Sequence, residues 1–417
     1  MSERISVECC IAGGGPAGMM LGLLLARAGV KTMVLEKHAD FLRDFRGDTV
    51  HPSTLQVMYE LGLLDRFLAV PHSRVEKLTA RFGTEEFTIA DFKHLPTHCH
   101  FLAIMPQWDF LSFVATESQR YPTYQLRMRT EVTDLIEEEG TIVGLRAVGP
   151  DGPLEVRAPL VVGANGRGSP LPEKAGLTLE EIGVPMDVFW FRLSRLPSDG
   201  PQMGGTFSQG QILVLIPREG HWQVGYVISK GSADRIRAAG LDAFRETIAR
   251  LAPFAFERIK EITSWDQVKL LTVRINRLDR WCRPGLLFIG DAAHAMSPVG
   301  GVGINLAIQD AVAAANAVAE PLRLGRLTIR DLERVERRRT LPTRLTQRLQ
   351  MAMQEVVIRP QLAGRNGAGH VPFGVRMLGA FPPLRTVLAY VIGVGIRTEH
   401  VRASPVRRSR TRSPSTR

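Results

Sequence analysis

Cysteine is scarce in this 417-residue chain, and its four copies, Cys9, Cys10, Cys99 and Cys282, form no Cys-x-x-Cys pair and no metal-ligand spacing. A disulfide-stapled scaffold and a thiolate metal site are therefore not expected, and a reduced, cytoplasmic setting is. Long apolar runs are missing as well. The longest, Thr386–Ile396, has 11 residues and contains Gly393 and Gly395, well short of the roughly 20 needed to cross a bilayer. No transmembrane segment is expected, and that stretch reads as core, pocket lining or a membrane-surface contact. Glu3, Glu8 and an early glycine cluster interrupt the N-terminal apolar stretch, which argues against a signal peptide. There is no internal repeat of solenoid period, no nucleophile-and-base set, and no cluster of metal ligands.

Acid is absent from one end of the chain. From Val401 to Arg417 stand six arginines (402, 407, 408, 410, 412 and 417) and no Asp or Glu, so this stretch supplies +6 of the net charge of +11. Ser, Thr and Pro separate the arginines, a composition that reads as a disordered, solvated tail. The remaining body is only mildly basic, and no nucleic-acid partner is expected.

What the N-terminus does contain is Gly13-Gly14-Gly15-Pro16-Ala17-Gly18, entered from the apolar segment Ile5–Ala12. A buried parallel strand has that continuous apolar character. In such a strand–turn–helix, Gly13 permits the tight turn, Gly15 lets backbone approach a pyrophosphate, and Gly18 lets the next helix pack close. Pro16 suits the first helical position, where its missing N–H costs nothing. The helix Met19–Ala28 turns its N-terminal amides and dipole toward the phosphates. Lys31–Leu35 is the second strand, and Glu36, followed by Lys37, stands at its tip to accept from a ribose diol. This is a dinucleotide site, open to NAD or FAD.

The chain reads as α/β. Residues 1–73, 105–178 and 276–330 form a discontinuous, Rossmann-type cofactor domain, with strands expected near Tyr124–Thr133, Thr141–Val148 and Glu155–Val162. Residues 74–104 and 179–275 are interleaved and β-rich. Val75–Phe82, Val188–Ser194, Ile212–Pro217, His221–Ile228 and Val268–Ile275 predict a largely antiparallel sheet, with Leu241–Ala252 as a helix over one face. Trp222, Val224, Tyr226 and Ile228 share one side of their strand and read as core against that helix. Residues 331–400 form a helical C-terminal region, opened by a helix that Thr328 caps and that Pro342 kinks or breaks. The basic tail occupies 401–417.

A second motif stands far downstream: Leu286–Ile289, then Gly290-Asp291-Ala292-Ala293-His294, then Pro298-Val299-Gly300-Gly301-Val302-Gly303-Ile304-Asn305. With the glycine fingerprint and the Arg46-to-Leu55 segment, it makes the chain resemble the single-component FAD-dependent aromatic-ring hydroxylases, the para-hydroxybenzoate hydroxylase-like group. The resemblance spans most of residues 5–320 and implies FAD as cofactor. It assigns Glu36 to the adenosine ribose, Arg46 to the pyrophosphate region, Gln107 to the flavin cofactor, and the backbone of Val132 to the adenine. It assigns Gly290 and Asp291 to the ribityl segment, and Pro298, Gly301, Gly303, Ile304 and Asn305 to the isoalloxazine. His294 reads as structural within this motif. One departure concerns the second strand-end motif. Where the family has Asp-Gly followed by Ser-x-x-Arg, this chain has Asn165-Gly166 and Pro172. Asn165 can donate and accept hydrogen bonds but cannot neutralise a cation, and the family links this motif to both FAD and NAD(P)H.

The activity so implied is monooxygenation. NAD(P)H, as co-substrate, reduces the flavin, which reacts with dioxygen (O2) and delivers oxygen through a C4a-hydroperoxide to an aromatic or polycyclic substrate. The cofactor carries the chemistry, so no catalytic side chain is assigned; the Pro298–Gly303 loop is the expected wall of the reaction chamber. Ile212–Ile216 is nearly all apolar and offers no arginine for a carboxylate, which favours an apolar substrate. A homodimer is compatible with this reading. The motifs leave open a reductase of the same fold, acting on isoprenoid chains, and a non-catalytic flavoprotein. A halogenase lacks support because no Trp-x-Trp-x-Ile-Pro segment occurs.

Overall fold

The apolar N-terminal segment divides into two strands that serve different sheets. In the computed structural model, which describes residues 3–42, 49–199, 203–208, 210–364 and 371–403, Glu3–Ser6 joins a four-stranded sheet with Gly152–Arg157, Thr141–Gly149 and Glu131–Glu138. Cys9–Ala12 lies inside a six-stranded sheet. The order of that sheet is Cys282–Arg283, Leu286–Phe288, Leu160–Gly163, Cys9–Ala12, Thr32–Leu35, Tyr124–Arg127. Its joins are parallel except the first, a hairpin. Cys9–Ala12, Thr32–Leu35 and Leu160–Gly163 are buried at every residue, which is why they read as unbroken apolar runs and not as alternations.

Two further strands divide where the sequence reading kept them whole. Tyr124–Thr133 breaks at Arg129, whose φ is +52°, and passes from the parallel sheet to the four-stranded one. Glu155–Val162 breaks at Ala158-Pro159. Proline has no N–H for a ladder and restricts the residue before it, so the chain changes sheets there. The helix Pro16–Arg27 packs against both Gly303–Arg323 and Gln107–Ser118. Tyr59, on the helix Pro52–Glu60, is half exposed and stacks on His98.

The interleaved β-rich segments build a seven-stranded sheet in the order Lys269–Leu271, Met186–Ser194, His221–Ser229, Gln211–Pro217, Met203–Ser208, Lys77–Phe82, Glu85–Asp91. It is antiparallel except between Met203–Ser208 and Lys77–Phe82. Trp222, Val224, Tyr226 and Ile228 pack on Phe244, Ile248 and Leu251 of the helix Leu241–Leu251, as expected. The opposite face presents Val188, Trp190, Ile212, Ile216 and Val227, and Val299 packs into that cluster. The expected strand Val268–Ile275 is two strands. Ile275–Leu278 leaves to join Leu179–Ile182 and His294–Ala295 in a three-stranded sheet, so this region is stitched directly to the second glycine motif.

Thr328 and Asp331 form a capping box for the helix Ile329–Met353, and Pro342 sits inside it without ending it. A π-turn, Gln354–Ile358, follows. The helices Phe373–Ala380 and Pro382–Gly393 then meet at 112° and pack on the edge strand Glu85–Asp91. The tail begins later than its composition suggests. The N–H of Val401 donates to Glu60, those of Arg402 and Ala403 to Asn316 Oδ1, and Arg27 donates to the Ala403 carbonyl. Those three residues are therefore docked by backbone bonds that composition cannot reveal; residues 404–417 lie outside the described residues. Among the described residues one helix, Val299–Arg323, is long and apolar enough to cross a membrane, and it is mostly buried against the rest of the protein.

Candidate cofactor site

The glycine turn is built by close approach. Gly13 has φ +113°, and a Cβ there would stand 2.5 Å from the Ala164 carbonyl oxygen. Its N–H donates to Leu35 O at 2.8 Å. A Cβ on Gly18 would stand 2.0 Å from Gly13 O. Gly15 differs: the nearest atom to its Cβ position is Ala164 O at 4.0 Å. It is the N-cap of the helix Pro16–Arg27, with no side chain capping the helix end. Gly15 thus faces open space at a positive helix terminus, with Pro16 at the first helical position and Ala17 buried behind it.

Glu36 is buried, and its carboxylate holds this turn. Oε2 accepts from Gly14 N at 2.8 Å and Oε1 from His38 N at 3.0 Å. Gly14, which the spacing rule passes over, is needed here, because a Cβ on it would stand 2.8 Å from Glu36 Cβ. Lys37 is exposed beside it. Thr130 N donates to Glu36 O, which brings the half-buried Val132, on the strand Glu131–Glu138, to the same end of the sheet. Gln107 opens the helix Gln107–Ser118 directly after Pro106. Arg46 lies outside the described residues.

The second motif closes on the first. Gly290 has φ +60°, and a Cβ on it would stand 3.0 Å from Ala17 Cβ and 3.2 Å from Ala307 Cβ. It is wedged between the first turns of the two helices. Asp291 Oδ2 accepts from Arg167 Nε at 2.9 Å, both side chains being about one-third exposed. Arg167 thus occupies the carboxylate that the family motif implied for the cofactor. Asn165 backs onto the Gly13 turn, its Cα 2.7 Å from the Gly13 Cβ position, and its Oδ1 is buried without a hydrogen-bond partner.

Pro298 precedes a turn in which Gly300 (φ +78°) and Gly301 (φ +63°) lead into the helix Gly303–Arg323, whose N-terminus also has no side-chain cap. The Cβ position of Gly303 is open to 3.9 Å. Ile304 packs partly against the core. The side chain of Asn305 is taken up within the protein. Oδ1 accepts from His51 N (3.0 Å) and Thr54 Oγ1 (2.7 Å), while Nδ2 donates to the Thr49 and Gly301 carbonyls at 3.4 and 3.5 Å. That side chain stitches the segment Thr49–Thr54 to the glycine turn, which leaves its backbone N–H for a ligand.

Two buried titratable groups stand behind this shell. His51 Nδ1 lies 2.7 Å from the Ile392 carbonyl and must donate to it, so Nε2 carries the lone pair of the neutral ring. Burial lowers its pKa to about 4, against the opposing pull of the Ile392 and Gly301 backbone contacts. Asp310 accepts from Gly290 N (3.1 Å), His294 Nε2 (2.6 Å) and Arg339 Nε (2.8 Å). Burial opposes its ionisation, yet His294 and Arg339 outweigh it and hold the carboxyl below its ordinary value. Arg339 also approaches Glu399 at 3.7 Å, and Glu399 takes both its oxygens to Arg338. His294 is therefore structural, as expected, and Asp310 is the residue that fixes Gly290. The one signal for it in the sequence is an acid set among the Ala, Val and Ile residues of the helix, well before Glu320.

This donor set fits FAD. Two uncapped helix N-termini and an open glycine suit a pyrophosphate, the carboxylates of Glu36 and Asp291 suit hydroxyls, and Asn165 Oδ1 is a buried acceptor awaiting a donor. No group of three or more metal-ligating residues occurs among the described residues.

The FAD binding domain family matches residues 6–348. The chain is 31% identical over 408 residues to the 6-methylpretetramide 4-monooxygenase of Streptomyces rimosus, covering 96% of each. It is 29% identical to the rifampicin monooxygenase of Streptomyces venezuelae, over 73% of this chain but only 62% of that one. Among solved structures, a probable FAD-dependent monooxygenase from Pseudomonas aeruginosa superposes with a TM-score of 0.74 at 21% identity, covering 86% of this chain and 99% of that one. The anhydrotetracycline hydroxylase of Streptomyces rimosus superposes with a TM-score of 0.73 at 22% identity, covering 94% and 77%.

Proposed function

The chain belongs to the FAD-dependent aromatic-ring monooxygenases, and from that premise we propose that it hydroxylates an apolar, fused-ring aromatic substrate with NAD(P)H and O2. The observation that carries the substrate class is the inner face of the seven-stranded sheet. Val188, Trp190, Ile212, Ile216 and Val227 cluster there with Val299 of the loop that enters the flavin-binding helix. Such a wall rewards burial of flat apolar area and gives no anchor to a carboxylate. Relatives whose names specify 6-methylpretetramide and anhydrotetracycline support that direction.

FAD, when bound and reduced by a nicotinamide, supplies the activation of dioxygen. The chain's own residues bind and orient. Gly15 and the amides of Pro16–Arg27 hold the pyrophosphate, Glu36 and the strand of Val132 hold the adenosine, and Asp291 holds the ribityl hydroxyls. The resemblance assigns Gln107 and Arg46 to the same cofactor. The uncapped N–H groups of Gly303, Ile304 and Asn305 favour negative charge placed before that helix. Pro298 and Val299, with the apolar sheet face, exclude water from the reaction chamber. His51, neutral at physiological pH, holds the Thr49–Thr54 segment in place without adding a charge. Residues 1–73, 105–178 and 276–330 act as the cofactor-binding part, and 74–104 with 179–275 as the substrate part. Four free, buried cysteines suit a reducing, cytoplasmic setting.

The test is direct. The purified protein is expected to be yellow and to release FAD on denaturation. With the right polycyclic phenol it should couple NAD(P)H oxidation to oxygen uptake and a hydroxylated product. Protein that stays colourless in excess FAD sinks the proposal, and NAD(P)H oxidation without oxygen uptake moves it to a reductase.

A further inference from the structure

The C-terminal helix pair carries an apolar surface that none of the described residues covers. Phe373 is 78% exposed, Val387 60%, Phe381 52%, Tyr390 44% and Leu384 40%. These side chains do not belong to a frayed end. Val375, Ala389 and Gly393 of the same two helices are buried, and a Cβ on Gly393 would stand 3.0–3.1 Å from Leu95 and Phe92. Arg385 fixes the corner by donating to the Leu378 and Gly379 carbonyls, both at 2.6 Å. A rigid corner therefore holds a greasy edge outward.

Charge decides what can cover it. Between Glu355 and Glu399 the sequence has five arginines and no acid, and five more arginines without an acid follow Ala403. On the edge strand beneath, Glu85 and Glu86 line a cleft with Arg376 and Arg385; Glu86 is engaged by Arg81 at 3.1 Å and Asp91 by Lys77 at 3.4 Å. A second copy of this chain would set arginines against arginines. An anionic lipid surface complements both the apolar residues and the cations. The two helices have 8 and 12 residues, about 12 and 18 Å long. With a 112° bend neither limb can cross a hydrocarbon core of roughly 30 Å, but both can lie in its interface.

We propose that Phe373–Gly393 is an interfacial element that seats this protein on an anionic bilayer surface, with Phe373, Phe381, Leu384, Val387 and Tyr390 at the headgroup boundary. The FAD-loaded full chain is to be co-sedimented with vesicles of phosphatidylcholine alone and of phosphatidylcholine containing roughly 30% phosphatidylglycerol, a surface that attracts basic segments. Binding to the anionic vesicles is expected to be at least about tenfold stronger than to the neutral ones. The double variant F381D/V387D should lose at least about tenfold of it while keeping its FAD content and melting temperature, since both side chains are exposed. Truncation after Ala403 should weaken binding without abolishing it. Failure to sediment with the anionic vesicles overturns the proposal. So does a double variant that binds like the parent, which would leave the tail as the whole attraction. So does a lipid-free dimer, seen by light scattering, that the double variant turns into a monomer while vesicle binding is absent.

Discussion

Two glycines only three residues apart should respond to the same methyl group in opposite ways. Gly18→Ala places a Cβ 2.0 Å from the Gly13 carbonyl oxygen and 3.1 Å from Ile11 Cγ2. The oxygen is backbone and cannot rotate away. Overpacking of about 1–3 kcal/mol should then outweigh the helix-propensity gain of about 1 kcal/mol, and the apoprotein loses stability. Gly15→Ala meets nothing closer than 4.0 Å, and its backbone (φ −76°, ψ −179°) is open to alanine. The unfolded-state gain of about 0.4–1 kcal/mol is offset by a poorer N-cap residue, so apoprotein stability stays within about 0.5 kcal/mol of the parent. The methyl instead fills the space reserved for the pyrophosphate. Loss of about 1–3 kcal/mol there weakens FAD roughly 5- to 150-fold. Denaturant unfolding of the three apoproteins, with FAD titration followed by flavin fluorescence, separates the two effects. Parental FAD affinity in Gly15→Ala, or destabilisation of its apoprotein equal to that of Gly18→Ala, would refute the assignment of Gly15 to the cofactor.

Asp310→Asn removes the buried carboxylate to which His294 and Arg339 donate and leaves Arg339 only Glu399 at 3.7 Å, so unfolding at neutral pH should show a loss of about 3–5 kcal/mol. Because the folded carboxyl lies below its ordinary value, the parent holds this advantage at neutral pH and gives it up as pH falls below about 3.9; a gap that fails to narrow in acid refutes the sign. Asp291→Ala should weaken FAD by about 1–3 kcal/mol, while the partly exposed pair with Arg167 contributes about 1 kcal/mol or less to the fold; unchanged affinity on titration removes Asp291 from the site. Asn165→Asp should lower FAD occupancy without speeding reduction by NAD(P)H, since it charges a buried atom that has no partner and Arg167 already serves Asp291. Faster reduction of the variant in stopped flow would show that the missing carboxylate is limiting.

Local chemistry was legible in the sequence. Gly13, Gly15, Pro16, Gly18 and Glu36 lie close together and obey a spacing set by one turn, and Gly290-Asp291 follows a short buried strand. Long-range bonding was not. The motif marks Asn305 by its place beside Gly303, but nothing local reveals that its side chain bonds Thr49, His51 and Thr54, about 250 residues away. Asp310 gathers Gly290 and His294 from the second motif and Arg339 from a later helix. Strand boundaries slipped for a related reason. Apolar character continues through Val7 and Pro159, and periodicity cannot see a chain changing sheets. The strand Met203–Ser208 escaped notice because Gly204 and Gly205 interrupt its pattern, and Glu85–Asp91 because its first residues are acidic.

The clamp on Asp310 has a consequence for biosynthesis. Gly290 is held by Asp310, Asp310 by Arg339, and Arg339 touches the Arg397 carbonyl as well as Glu399. At roughly 5–20 residues per second, the ribosome needs on the order of 20–80 s to pass from the glycine turn to Glu399. Cys9–Ala12 gains Leu160–Gly163 as its second neighbour much earlier, but until Glu399 follows the clamp that fixes Gly290 is incomplete. Nascent chains halted before Glu399 should therefore hold FAD weakly and stay open to chaperones and proteases, and flavin capture should follow the emergence of Glu399.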